Sequence, residues 1–326
     1  MTAAPLSAAD WSIEFAALPG GVVEVFEEQG RALVLTRSGG FFRIGETAAG
    51  KTVTERLGSY QRPSPLRRPD MLPDGIVTVG TNDIGEAYLT GPTSRYRHGV
   101  LGDAIEASGL RVRSKSGSVF DVKLPPDSVF EDIAPRLYDI DGDGRDEVLI
   151  VRSYVDAGAA LAVFGLRDRK LALVAETAPI GQPNRWLNPV GVADFDGDGR
   201  PEIALVKTPH IGGVLELYKL DGGTLTMAHS ARGFSNHFIG SRDLYLSYLT
   251  DMNGDGIVDI VLPSADRGAL RVLSFAGGAF NELGESPLPA RVSTRIAVIN
   301  PASGAFAFGL ADGALAIVRK HTSASP

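Results

Sequence analysis

The chain contains no cysteine. Disulfides, thiolate zinc sites, iron–sulfur clusters and cysteine nucleophiles are therefore excluded. Methionine and tryptophan are scarce, at four and two residues, and only seven of the 32 basic residues are lysine. No apolar run approaches the ~20 residues that span a bilayer, so no membrane span is expected. Base is also scarcer than acid, 32 Lys and Arg against 39 Asp and Glu, for a net charge of −7. A nucleic-acid surface needs clustered cations to neutralise phosphates, so no nucleic-acid partner is expected. With 44% hydrophobic residues the composition is that of a folded chain.

Glycine is in excess, 39 of 326 residues, where about 7% is usual. Twenty prolines add to it. Such punctuation suits many short strands joined by tight turns. Helical periodicity is nearly absent, and the expected class is all-β.

Three segments repeat: DIDGDGRDEVLIV from Asp139, DFDGDGRPEIALV from Asp194 and DMNGDGIVDIVLP from Asp251, starting 55 and 57 residues apart. Each follows one strand-like apolar run and leads into another, with two further strand-like patches beyond. The unit is thus four strands, with the acidic loop between the first and second. Degenerate copies register near Val25, Asp70, Asp103 and Ile299. Seven units at a mean spacing of about 46 residues fit four-stranded blades of a β-propeller. The last unit lacks outer strands, and the stretch WSIEFA from Trp11 has no unit of its own. The reading is a single domain over residues 1–326, a seven-bladed propeller whose N-terminal strand closes the last blade, with short polar tails. A β-sandwich pair carrying the same loops is the competing architecture.

The loop spacing places oxygen donors at alternate positions, and glycine at position 6 allows a sharp bend. An EF-hand needs glutamate at position 12. Here Ile150, Leu205 and Leu262 stand there, and the acid comes at position 9. The expected donors are Asp139, Asp141, Asp143, Glu147 and the Arg145 carbonyl; Asp194, Asp196, Asp198, Glu202 and the Arg200 carbonyl; and Asp251, Asn253, Asp255, Asp259 and the Ile257 carbonyl. All-oxygen, carboxylate-rich donor sets call for a hard cation, Ca²⁺ before Mg²⁺, about three ions in all. These residues, each set running into an apolar strand, resemble FG-GAP/VCBS repeats, as found in the integrin alpha-subunit propeller and in many bacterial secreted proteins. The resemblance spans about residues 135–275. It implies a seven-bladed propeller with calcium between the first and second strand of a blade. It implies no reaction, since relatives include adhesion modules, lectins and propellers appended to lyases.

If the acidic loops lie on one face, the segments leading into first strands and the turns after second strands lie on the other. Counting from loop position 1 places Arg95, Arg185, Arg242, Arg291, His210 and Arg267 there, with Tyr96, His98, Trp186, Asn188, Asn236, His237 and Asp266 nearby. Arginine forks suit carboxylates and phosphates, and Tyr96 and Trp186 would stack on a sugar. The three histidines admit a zinc or copper reading. The expected function is a calcium-stabilised binding module for an acidic small molecule, a saccharide or another protein. The alternative is a lyase or hydrolase acting on a polyanionic saccharide, with Asp266 and a histidine as acid–base pair. No GxSxG or HExxH motif supports catalysis. The opening Met1-Thr-Ala-Ala-Pro5 has neither basic nor apolar signal character. Weak calcium loops need millimolar Ca²⁺, so a periplasmic or extracellular location is expected.

Overall fold

A computed structural model describes residues 11–47 and 50–321. The outermost residues of both polar tails lie outside the described residues. After β1 (Trp11–Ala17), strands β2 (Val22–Glu28), β3 (Arg31–Thr36), β4 (Phe41–Glu46) and β5 (Thr52–Leu57) pair in chain order as one antiparallel sheet. Next come β6 (Thr78–Val79), β7 (Ile84–Thr93), β8 (Glu106–Ser114) and β9 (Val119–Lys123). A short connector, β10 (Ser128–Phe130), joins these to β11 (Arg136–Tyr138), β12 (Glu147–Tyr154), β13 (Gly158–Arg167) and β14 (Lys170–Glu176), giving one nine-stranded sheet made of two four-stranded units. Two further sheets follow: β15 (Leu187–Ala193), β16 (Glu202–Lys207), β17 (Val214–Asp221) and β18 (Thr224–Arg232), then β19 (Tyr248–Thr250), β20 (Asp259–Pro263), β21 (Ala269–Ser274) and β22 (Asn281–Pro287). The last holds β23 (Ala297–Asn300), β24 (Ala305–Gly309) and β25 (Ala314–Lys320), with β1 as its fourth strand. The only helix among the described residues is a 3₁₀ turn at Ala276–Gly278.

The expected all-β class and four-stranded unit are present, and β1 pairs with β25 from Trp11↔Lys320 to Ala17↔Ala314. The unit count differs. The described strands make six four-stranded units, because the segments starting at Asp70 and Asp103 belong to one of them: β7 pairs with β8 from Ile84↔Ser114 to Thr93↔Glu106. Asp103 lies in the long connection between those two strands, and Asp70 precedes the unit's first strand.

Successive sheets bury apolar side chains against each other. Phe195, Val206 and Leu217 pack with Ile260, Leu273 and Phe275 between the fourth and fifth units. Val261, Val272 and Leu283 pack with Trp11, Phe306 and Val318 between the fifth and sixth. Val25, Val34 and Ile44 of the first sheet pack with Ala297, Ala305 and Ile317 of the last. The core thus lies between neighbouring sheets, as in a β-propeller. From the first unit to the second, no apolar cluster is shared among the described residues. There residues 58–77 act as a strap: Arg62 lies over the Phe26 ring at 3.8 Å and pairs with Glu24 at 2.9 Å, while Leu72 N donates to Leu89 O.

Candidate functional site

The three acidic loops join β11 to β12, β15 to β16 and β19 to β20. Their local geometry is the same because the spacing is the same. The glycine N–H at position 6 donates to the position-1 carboxylate in each: Gly144 to Asp139 (3.0 Å), Gly199 to Asp194 (2.8 Å) and Gly256 to Asp251 (3.0 Å). The position-7 N–H of Arg145, Arg200 and Ile257 donates to Asp143, Asp198 and Asp255, each at 2.9 Å. The ninth-position acid turns back, so that Glu147 accepts from Ile140 N, Glu202 from Phe195 N and Asp259 from Met252 N. Gly144, Gly199 and Gly256 hold φ of 82°, 86° and 85°, values that strain any residue with a Cβ.

These residues fit a hard cation. In the first and third loops one buried carboxylate oxygen has no hydrogen-bond donor, Asp139 Oδ1 and Asp259 Oδ1, whereas in the second loop Glu202 Oε1 meets the Lys219 ammonium at 3.0 Å. An orphaned buried oxygen is costly, and a metal ion would satisfy it. Donor oxygens of Asp194, Asp196, Asp198 and Glu202 lie within 4.8 Å of one another, as do those of Asp139, Asp141 and Glu147. Burial pushes the carboxyls of Glu147 and Glu202 up, and that of Asp259 to about 6. In the third loop Asn253 donates to Asp255 at 2.9 Å. Protein cations also reach in. Arg167 contacts Asp141 and Glu147 at 3.1 and 2.8 Å, and Lys219 contacts Asp196 and Glu202 at 2.8 and 3.0 Å.

At the other end of the same strands the loops gather a second set of groups. Arg185 and Trp186 precede β15, whereas Asp194 follows it, which separates them by roughly 20 Å of extended chain. His210, His237, Asp266, Arg267 and Arg291 line one pocket of about 390 Å³, together with Phe238 and Ile239. His210 Nε2 and His237 Nδ1 are 2.9 Å apart, and His237 Nε2 is 3.0 Å from Ser241 O. Only a donor satisfies that carbonyl, so His237 carries its proton on Nε2 and accepts from His210 on Nδ1. Burial lowers His210 to about 4 and His237 to about 3, so both imidazoles are neutral at pH 7. Arg267 lies over the Phe238 ring at 4.8 Å and donates to Val292 O at 2.8 Å. Burial, then the nearby charge of Arg291, holds its guanidinium below the usual arginine range. Among the described residues neither Arg267 nor Arg291 forms an ion pair within 4 Å, but the ionised Asp266 of the same pocket attracts both through charge.

Other residues marked for this face have different roles. Trp186 is buried, stacks on His210 at 6.1 Å and donates to Glu131 O at 2.9 Å. Tyr96 is buried and accepts from Asn184 N, so neither ring offers a sugar-stacking face. Asn188 and Asn236 are fully buried and bonded to each other's backbone. Arg242 is held by Asp74 (2.9 Å) and Asp103 (2.8 Å), which removes it from the anion-binding set. Arg95 donates to Ser128 O and Arg185 to Asn184 O. Asp266 accepts from Ser264 and Gly268 within its own turn, which holds it ionised and unsuited to proton donation. His98 pairs with Glu131 at 2.6 Å, and the imidazoles of His98, His210 and His237 form no metal-sized cluster among the described residues. Glu131 was not foreseen. Its signal is an acid inside the apolar run Val129-Phe130-Glu131-Asp132-Ile133. Arg291 stands eight residues before Ile299, the same offset that marked Arg95.

Residues 139–205 match the FG-GAP-like repeat. The match takes in the first two acidic loops and the strands between them, so the resemblance read from those loops is borne out over that span. A comparison with curated proteins found no match. Among solved structures the chain is similar to the WD40 domain of Toxoplasma gondii coronin, at 12% identity and a TM-score of 0.47, over 97% of this chain and 88% of that one.

Proposed function

We propose that this chain is a calcium-stabilised β-propeller, one domain of six blades closed into a ring by β1, that binds an anionic ligand in the His210–His237–Arg267–Arg291 pocket. The carrying observation is a pair of neighbouring guanidiniums, one of them half-buried, with no ion pair within 4 Å among the described residues. Asp266 sets one negative charge against the two guanidiniums, so the concave site keeps an excess positive charge that a further anion would neutralise. The neutral imidazoles add hydrogen bonds without adding charge, and Phe238 and Ile239 supply an apolar wall. An acidic saccharide or an acidic segment of a protein meets this chemistry. About three calcium ions in the acidic loops would act as pins at the opposite end of the blades. Loops of this kind fill at the calcium levels of the periplasm or cell exterior, where the protein is proposed to work.

Arg291→Ala tests the pocket, because among the described residues its side chain forms no ion pair within 4 Å and is drawn only by the charge of Asp266. Titration with short oligogalacturonates should show at least tenfold weaker binding in the variant, with an unchanged melting temperature. Equal binding of wild type and variant, or equal binding of neutral oligosaccharides, would refute the anion reading.

A further inference from the structure

The second acidic loop has a cation of its own. Lys219 on β17 stands directly across the ladder from Glu202 on β16, so the two side chains leave the same face of the sheet. Its ammonium is 2.8 Å from Asp196 and 3.0 Å from Glu202, and it also touches Asp198. With Asp194, these are the carboxylates that a calcium ion in this loop requires. The other loops are built differently. In the first, Gly165 faces Glu147, and Arg167, two residues on, reaches Asp141 and Glu147. In the third, the fifth sheet ends its pairing at Ile260↔Leu273, and the nearest cation is Lys320 of the next sheet, 3.7 Å from Asp251. A lysine in register with the ninth-position acid belongs to the second loop alone among the three.

We infer that Lys219 is a built-in cation of the second loop: it holds the loop in shape without metal, and calcium must displace it to bind. Calcium takes oxygens at 2.3–2.6 Å. An ion at that distance from oxygens that an ammonium also touches stands within about 5 Å of the nitrogen, where charge repulsion in a half-buried site is several times its value in water. The two cations therefore alternate. Lysine suits this role, because its strongly hydrated head on a flexible stem can swing into water. The second loop then fills at a higher calcium concentration than its four carboxylates alone would set. This inference rests on the calcium reading of the loops.

The test uses full-length wild type and Lys219→Met, stripped of metal and titrated with calcium chloride by calorimetry. The variant should bind calcium at one site at least tenfold more tightly. Its metal-free melting temperature should fall, and saturating calcium should restore it. If the metal-free variant does not fold, amine acetylation of wild type read by mass spectrometry gives the same answer: Lys219 should be protected without calcium and become reactive when calcium is added. An unchanged affinity in the variant, or a Lys219 reactivity that calcium leaves unchanged or lowers, overturns the inference while leaving the calcium loops intact. Failure of both proteins to bind calcium removes the calcium reading and the inference with it.

Discussion

Glu106 stands on β8 with 2% of its surface exposed, beside the negative charges of Glu131, Asp103, Asp74 and Asp132. Burial first, and then those charges, push its carboxyl up to about 9. In the folded protein the group is therefore protonated at pH 7, whereas in the unfolded chain it ionises near 4.5. The sign follows from linkage. A raised folded-state pKa gives stability that is full below the unfolded value and is lost as pH rises through the folded one. Between about pH 4.5 and 9 each unit costs roughly 1.4 kcal/mol. Glu106→Gln keeps the shape and removes the titration. The variant should match wild type in urea unfolding at pH 4.5 and exceed it by on the order of 4 kcal/mol at pH 7.5. A difference independent of pH would mean that Glu106 is ionised in the folded state. The residue lies where the connections of the second unit meet the Arg242 ion triad, so its neutrality keeps another unpaired charge out of an already acidic region.

Among the elements, β1 is the one whose place was most legible. Trp11 to Ala16 read as a strand with no unit, the last unit lacked an outer strand, and the two are paired in the structure. The acidic loops were equally legible, because their spacing encodes the backbone bonds directly: a carboxylate at position 1 and a glycine at position 6 meet in all three. The unit count was not. An apolar run ending in aspartate looks alike whether it begins a blade, as at Asp194, or closes a long connection, as at Asp103. His210 and Arg267 could be placed by counting from the loops, since strand lengths are regular there. The pairing of Arg242 with Asp74, 168 residues away, and the burial of Trp186 depend on packing between distant segments that no local pattern records. β1 also carries the sharpest stability test of an element. Trp11 is 5% exposed and packs with Val272, Leu283 and Phe306 from two sheets. Trp11→Ala should cost about 3–5 kcal/mol, measured by denaturant unfolding. A loss below about 1 kcal/mol would mean that β1 adds an edge without joining a core.

For the whole molecule, the strands set two ends apart: acidic loops at one, the arginine–histidine pocket at the other. Each second strand, β16 for example, runs from a loop acid, Glu202, toward the turn that bears His210. The ends are thus joined through paired strands, as β15, β16 and β17 show. On the proposed calcium reading, an ion bound to the folded state would stabilise it by mass action, about 2.7 kcal/mol per ion at a hundredfold excess over its dissociation constant. Such an ion shifts the equilibrium with the unfolded chain, and it alters pocket affinity only if it favours one folded arrangement over another. Chelation with EGTA should therefore lower the melting temperature by several degrees. Oligogalacturonate affinity at 20 °C, well below the transition, should stay within twofold. An affinity that falls in step with calcium occupancy would require the loops and the pocket to share a movable element. The strap at residues 58–77 is where that element would be sought, because among the described residues the first and second sheets share no apolar core there.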